Sequence, residues 1–307
     1  MVRHYREPRF LRSDGKPNFR DRIYEVEAEL ENVFTRNPVV VSSNLSIEDL
    51  MKKMVESGYR RIPVVSGDNR LVGIVTASDI INYFGGGTLN MIIRERHKNN
   101  IFRAFKEKVR RIMEETVIFA EYNEKISSVI EKMYKFNVGG LPVIYEEKVV
   151  GIVSERDIIG YYLQQLEGSV KEYMSKDIVT VSYDTPLIDA MKFMIDSGYR
   201  RLPVTSGERI IGILFAMDIV RYLASGKPFV RALDGRIENA LNLRVSDVAV
   251  PDILSVNENM SLREAFEFMT QNGVGGVLVR NNEGKIVGIL TERDLLNAIV
   301  LGARDNA

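Results

Sequence analysis

An α+β fold made of four copies of a β-α-β-β-α unit is predicted by three observations. Four segments of the 307-residue chain, starting near Pro38, Thr116, Ile178 and Ile253, follow one plan. In each, an apolar stripe at helical spacing is followed by two short β-rich runs around a polar turn. Equivalent positions also recur at a nearly constant offset: Asp79 to Asp218 is 139 residues and Asp157 to Asp294 is 137.

A short apolar strand opens each copy. The helix after it carries an i, i+3, i+4, i+7 stripe: Ile47, Leu50, Met51 and Met54 in the first copy, Ile126, Val129, Ile130 and Met133 in the second. The third copy has Leu187, Ala190, Met191 and Met194, and the fourth Leu262, Ala265, Phe266 and Met269. This helix stops at Gly58, Asn137, Gly198 or Gly273, residue types that tolerate the left-handed conformation past a helix end. Next come two β-rich runs such as IPVV-SGDNR-LVGIV, a hairpin, and then a second helix starting at Thr76, Ser154, Phe215 or Thr291.

About 50 residues cannot cover one face of a sheet alone, so the copies must stack in pairs. Copies one and three share SGYRR-[IL]-PV, while copies two and four share VGG and [ST]-ERD, so the chain is a duplicated pair. The modules are 23–166, with repeats at about 31–85 and 109–165 around a basic linker 86–108, and 167–307, with repeats at about 170–225 and 245–301. VRRIM (109–113) and VKEYM (170–174) are lead-in turns that open individual repeats, and 226–244 is the linker of the second module.

Composition excludes several function classes. With 45% hydrophobic residues the chain can form real cores, which rules out disorder. It has no cysteine, hence no disulfide, thiolate zinc site or cysteine nucleophile; the two histidines, His4 and His97, lie in Arg/Lys-rich stretches without a second ligand at metal spacing. Its apolar runs fall short of the ~20 residues that span a bilayer and its start is too charged for a signal peptide, so a cytoplasmic protein without membrane association is expected. Net charge is zero, but residues 1–22 hold seven Arg/Lys against three acids and residues 94–111 hold eight against two, so the body is acidic. Such basic segments suit a phosphate backbone, an acidic partner or plain solvation.

The h-P-h strands (Ile62-Pro63-Val64, Leu141-Pro142-Val143, Leu202-Pro203-Val204), the G-h-[VL] strands and the [ST]-x-x-D after them resemble the CBS domain, over roughly 240 residues. The fourth copy lacks the proline, at Val277-Leu278-Val279, and the third has Phe215 where Ser or Thr is usual. The resemblance implies paired repeats, or Bateman modules, forming a disc like that of the AMP-activated kinase gamma subunit. It implies a regulatory protein, not an enzyme, with no catalytic cofactor, that binds an adenine nucleotide (AMP, ADP or ATP) and acts on an effector protein. S-adenosylmethionine is the alternative ligand and a nucleic-acid-associated or transcriptional regulator the alternative function; the disc is a monomer or is completed by a homodimer.

The residues carry that chemistry as follows. In SERD and TERD, Asp157 and Asp294 can accept both hydroxyls of a ribose, Ser154 and Thr291 face a phosphate at a helix start, and Arg156 and Arg293 add charge. The same S/T-x-x-D pattern is also nearly a capping box. Tyr59 and Tyr199 can stack on adenine, and Arg60, Arg61, Arg200 and Arg201 can take phosphates. In the family the clefts are composite. The resemblance therefore sets Ser154, Arg156 and Asp157 against Tyr59, Arg60 and Arg61, and Thr291, Arg293 and Asp294 against Thr180, Tyr199, Arg200 and Arg201. Thr76 with Asp79, and Asp218 with Ser255, are weaker candidates because they face Gly139-Gly140 and Gly275-Gly276.

Overall fold

The computed structural model describes Phe19, Ile23, residues 29–251 and residues 253–301. His4 and nearly all of the basic segment 1–22 lie outside the described residues. Among the described residues there are four small sheets, one per repeat. In each, a short first strand pairs parallel to the middle strand, which pairs antiparallel to the third. In repeat 1 the order is Val41–Ser42, Arg61–Val65 and Leu71–Thr76, with helix Ile47–Ser57 as the crossover and helix Ala77–Phe84 after the hairpin.

The local signals act as their chemistry requires. Gly58 and Gly198 cap the first helices of repeats 1 and 3 at φ 71° and 72°. In repeats 2 and 4 the left-handed residue, Asn137 or Gly273, stands one place beyond the cap. All sixteen residues of the predicted stripes are buried. Thr76, Ser154, Phe215 and Thr291 are the N-caps of the second helices, whose first helical residues follow them.

The chain divides into two compact units that do not follow chain order. One holds the described residues of Met1–Pro38, Ile118–Ile178 and Ile253–Ala307, and so repeats 2 and 4; the other holds those of Val39–Val117 and Val179–Asp252, and so repeats 1 and 3. Each has its own core. Ile47, Met51, Ile81, Met191 and Ile219 share one; Ile130, Ile159, Phe266, Leu295 and Ile299 share the other. The alternation of GYRR with VGG along the chain thus sorts the repeats by unit.

Lead-in segments do not pack on the repeats they open. Thr35–Arg36, ahead of repeat 1, joins the sheet of repeat 2 opposite Gly151 and Ile152. Glu114, ahead of repeat 2, bridges to Ile74 of repeat 1, and Val109 and Arg110 donate their amides to Leu45 and Ser43. Ser175 likewise bridges to Ile289 of repeat 4, and Val250 to Ile213 of repeat 3. Repeats 1 and 2 therefore exchange lead-ins, as do repeats 3 and 4. Sequence could not reveal this, because a lead-in of either kind reads as a short turn before its own strand.

The exchange explains the glycine of every G-h-[VL] strand. A Cβ on Gly151 would lie 2.1 Å from the Phe34 ring and 2.7 Å from the Thr35 carbonyl oxygen. At Gly212 it would meet the Val250 oxygen at 2.5 Å, and at Gly73 and Gly288 the sulfurs of Met113 and Met174 at 2.7 and 2.6 Å. Gly151→Ala should therefore destabilise the chain by about 1–3 kcal/mol, the usual cost of overpacking. Gly67→Ala, at a hairpin turn with nothing within 4 Å of the added carbon, should cost less than half of that. Urea denaturation of the two variants checks this, and equal losses would mean that the crossing is not the cause.

Candidate functional site

The four [ST]-x-x-D aspartates occupy equivalent positions in the first turn of the second helices. Each accepts the backbone N–H of its N-cap residue: Thr76 to Asp79 at 2.8 Å, Ser154 to Asp157 at 2.8 Å, Phe215 to Asp218 at 2.9 Å and Thr291 to Asp294 at 2.9 Å. Where the N-cap has a hydroxyl, it donates to the same Oδ2, at 2.7 Å from Thr76, 2.5 Å from Ser154 and 2.7 Å from Thr291. The capping role that the pattern permits is thus in place in all four repeats, with only the amide arm in repeat 3 because Phe215 has no hydroxyl.

The second carboxylate oxygen distinguishes the repeats. Asp157 Oδ1 accepts from the Thr35 hydroxyl at 3.2 Å, so the exchanged lead-in supplies a third donor. Asp218 Oδ1 is held at 2.5 Å by Arg221, one turn further along the same helix. Burial raises the pKa of Asp157 against the lowering pull of the Ser154 and Thr35 hydrogen bonds, and the Glu292 charge adds to the rise. Burial also raises that of Asp218, against the Phe215 amide and Arg221. Thr35 was missed at the sequence level because it lies some 120 residues before its partner. Its register equivalents are Glu114, Ser175 and Val250. A hydroxyl-bearing residue therefore accompanies repeats 2 and 4, and an acid or an apolar residue accompanies repeats 1 and 3.

Arg156 and Arg293, expected beside a ligand phosphate, are committed within the fold. Arg156 Nε meets Glu292 at 2.8 Å and Arg293 Nε meets Glu155 at 2.5 Å, a reciprocal pair of ion pairs between repeats 2 and 4. Each guanidinium also donates to the valine of the other repeat's VGG, Arg156 to the Val274 carbonyl at 2.7 Å and Arg293 to that of Val138 at 3.2 Å. The Arg293 guanidinium lies 4.9 Å from the centre of the Tyr134 ring, and Tyr134 in turn donates to Asn297 at 2.6 Å. For Arg293, burial works against the charged form, but Glu155, Tyr134 and Asp294 outweigh it and raise the pKa.

Repeats 1 and 3 have Ala77-Ser78 and Ala216-Met217 where the others have Glu-Arg, so no such pair can form there. In all four repeats the residue two before the middle strand's second position accepts the first helical amide, from Ala77 to Arg60 at 2.9 Å and from Ala216 to Arg200 at 2.9 Å, with Gly139 and Gly275 doing the same for Glu155 and Glu292. The next residue faces the N-cap across the hairpin: Arg61 opposite Thr76, Arg201 opposite Phe215, Gly140 opposite Ser154 and Gly276 opposite Thr291. The Arg-Arg pairs thus stand at helix starts in one unit. In the other, the same place is left without side chains where an incoming guanidinium reaches the backbone.

Of the remaining candidates, Tyr59 is 42% exposed, so its ring is open to a stacking partner. Tyr199 is half-buried and stacks on Phe193, centroids 6.2 Å apart and planes 22° from parallel. Thr180 is exposed, and Ser255 accepts from Arg280 at 2.6 Å.

Truncating Arg156 removes a counter-ion 2.8 Å from Glu292, which is 4% exposed. Breaking a buried pair costs about 3–5 kcal/mol, and the 33% exposure of Arg156 reduces this to about 2 kcal/mol. Arg156→Met should show that loss in denaturant titration, and adding Glu292→Gln should recover more than half of it. A double variant no more stable than the single one would rule out the stranded charge as the origin.

The CBS domain family model matches residues 30–86, 109–164, 170–225 and 245–301. The uncharacterized protein MJ1225 of Methanocaldococcus jannaschii is 34% identical over 262 residues, 84% of this chain and 94% of that protein. Its crystal structure, described as that of a proposed archaeal homologue of γ-AMPK, superimposes with a TM-score of 0.83 at 33% identity and covers 88% of this chain and 99% of that one. An uncharacterized 33.4 kDa protein of the Thermofilum pendens ribosomal RNA operon is 28% identical over 262 residues, 85% of this chain and 87% of its own length. No helix among the described residues is long and apolar enough to cross a membrane.

Proposed function

Because the chain belongs to the CBS-domain family, we propose that it is a regulatory, non-catalytic sensor that binds adenine nucleotides at its repeats and passes their occupancy to an effector protein. AMP, ADP and ATP are the favoured ligands over S-adenosylmethionine, since the guanidinium groups of Arg60-Arg61 and Arg200-Arg201 match phosphate oxygens in kind. The observation that carries the reading is the cluster at Asp157: a half-buried carboxylate ringed by the Ser154 amide, the Ser154 hydroxyl and the Thr35 hydroxyl at a helix start. A carboxylate has about four lone-pair positions, so a ribose hydroxyl can take the remaining one or replace Thr35 without undoing the cap. Thr35 and Ser154 then become donors for ribose or phosphate oxygens.

On this reading the four positions are unequal. Asp157 and Asp294 have a hydroxyl N-cap and a hydroxyl in the lead-in register position, Thr35 or Ser175. Asp218 is tied to Arg221 and has Val250 in that position, while Asp79 has the like-charged Glu114. Arg156 and Arg293 act here as braces that hold the ERD helix starts in place.

Calorimetric titration of ligand-free protein with AMP, ADP, ATP and S-adenosylmethionine tests the reading, with micromolar binding at two tight sites expected. Asp157→Ala and Asp294→Ala should each remove one tight site, a loss of about thirtyfold to a hundredfold. Asp79→Ala and Asp218→Ala should leave two. No heat with any of the four ligands would overturn the proposal, and four equal sites would overturn the ranking.

Acid should weaken binding before it unfolds the chain. Asp157 can accept from the cap, Thr35 and a ribose hydroxyl together only when ionised, since protonation turns one acceptor position into a donor, and its folded-state pKa lies above the ordinary aspartate value. Affinity should therefore fall as pH drops through that raised pKa. In the same window, from the ordinary value up to the raised one, the empty protein gains stability as pH falls, because protonation relieves the cost of burying the charge. Titrations between pH 7.5 and about 4.5, paired with melting curves, measure both trends. Parallel loss of affinity and stability would contradict the assignment.

A further inference from the structure

The basic linker gathers its charge in one place. Residues 91–111 fold as three separate pieces: a π-helical turn Ile92–Arg96, the helix Ile101–Lys106 and a 3-10 turn Val109–Arg111. Two successive non-glycine residues in the left-handed region, Lys98 at φ 52° and Asn99 at φ 57°, reverse the chain between the first two. The result is a hollow of about 420 Å³ into which Arg96, Arg103, Lys106, Lys108, Arg110 and Arg111 converge. A solvated amphipathic helix would instead spread its cations along one face.

The base of the hollow is built. Glu107, 6% exposed, accepts from the Lys108 amide at 2.8 Å, meets Arg96 at 3.0 Å and pairs with the buried His97 at 3.0 Å. Burial opposes its ionisation, but these neighbours prevail and hold its pKa below the usual value, so it stays charged. Arg110 is fixed on Asn44 at 2.6 Å and Lys106 reaches Glu48 at 3.4 Å. Arg103, Lys108 and Arg111 are exposed and have no carboxylate partner among the described residues. One lining carboxylate thus faces six permanent cations, and crowding like charges costs energy that a bound anion removes.

We propose that this hollow binds a compact anion carrying two or more linked phosphate groups, at a site separate from the adenosine positions of the repeats. Guanidinium pairs match phosphate oxygens two at a time, and the volume suits a small molecule. The adjoining recess shares Arg96 and Arg111 but is otherwise lined by Met91, Ile92 and Glu95, so the two hollows do not form one cationic track for a nucleic-acid backbone.

The test is calorimetry of the full chain with sodium tripolyphosphate, with AMP titrated separately. Tripolyphosphate should bind in the micromolar range and weaken steeply with salt. Arg103→Gln/Lys108→Gln/Arg111→Gln, changes at exposed positions, should weaken it at least about tenfold. The variant should keep the wild-type AMP stoichiometry and melting temperature. Absence of tripolyphosphate binding, its survival in the triple variant, or its one-for-one displacement by AMP would each overturn the site. So would a 20-nucleotide RNA or an acidic peptide that binds through these three residues while tripolyphosphate does not. Failure of AMP to bind, with tripolyphosphate binding intact, would count against the sensor reading alone.

Discussion

The close crossing of lead-in over glycine is the constraint on which the rest of the structure depends. A three-stranded sheet whose hairpin strands run five to seven residues leaves an edge of unpaired amides and carbonyls, which must be covered or paired. Here the cover comes from another repeat's lead-in, and the backbone-to-backbone approach it requires leaves no room for a Cβ at Gly73, Gly151, Gly212 or Gly288. The irregular register beside these glycines, as between Val64 and Val65 or Val143 and Ile144, belongs to the same adaptation, since a bulge bends the strand where a neighbour passes. Because each lead-in leaves its own repeat, no repeat is a closed folding unit.

A second constraint is that each unit needs two repeats to bury its helices. The two units meet it differently. Repeats 2 and 4 bring their ERD helix starts together through crossed Arg–Glu pairs, and the VGG turns stay free of side chains where the guanidinium groups dock. Repeats 1 and 3 have small or apolar residues at those helix positions, and their turns carry Arg-Arg. The alternation of motifs along the chain therefore has a packing cause in the unit of repeats 2 and 4. A position with no incoming guanidinium is one where an arginine side chain fits.

Much of this could be read from the sequence, for reasons particular to each element. Helices were legible because Ile47, Leu50, Met51 and Met54 and their equivalents keep a one-sided stripe, and their ends because Gly58 and Gly198 adopt the conformation only glycine takes without strain. The capping aspartates were legible as a pattern, and their cap geometry is what the structure has. The lead-in exchange was not, since no local signal states which sheet edge a two-residue strand will join. Thr35 was hidden for the same reason. Arg156 and Arg293 were assigned to a ligand because a motif shows which charges are near in sequence, and not the acid that approaches from another repeat.

The aspartate that caps a helix is well placed to report a ligand. With Oδ2 fixed by the N-cap amide and hydroxyl, Asp157 cannot move without fraying the first turn of its helix, and that helix carries Glu155 and Arg156 of the crossed ion pairs. Oδ1 is held by a hydroxyl on the exchanged lead-in, so any group that competes with Thr35 bears on the segment that closes the sheet edge. A ligand at this point would therefore bear on the cap that starts the helix and on two structures that tie one repeat to another, the ion pairs and the lead-in. Single hydrogen bonds of this kind are worth only about 1.5–3 kcal/mol. That is enough to shift a two-state arrangement by tenfold or more, provided the ligand favours one state, which is the requirement for a module that regulates without catalysing.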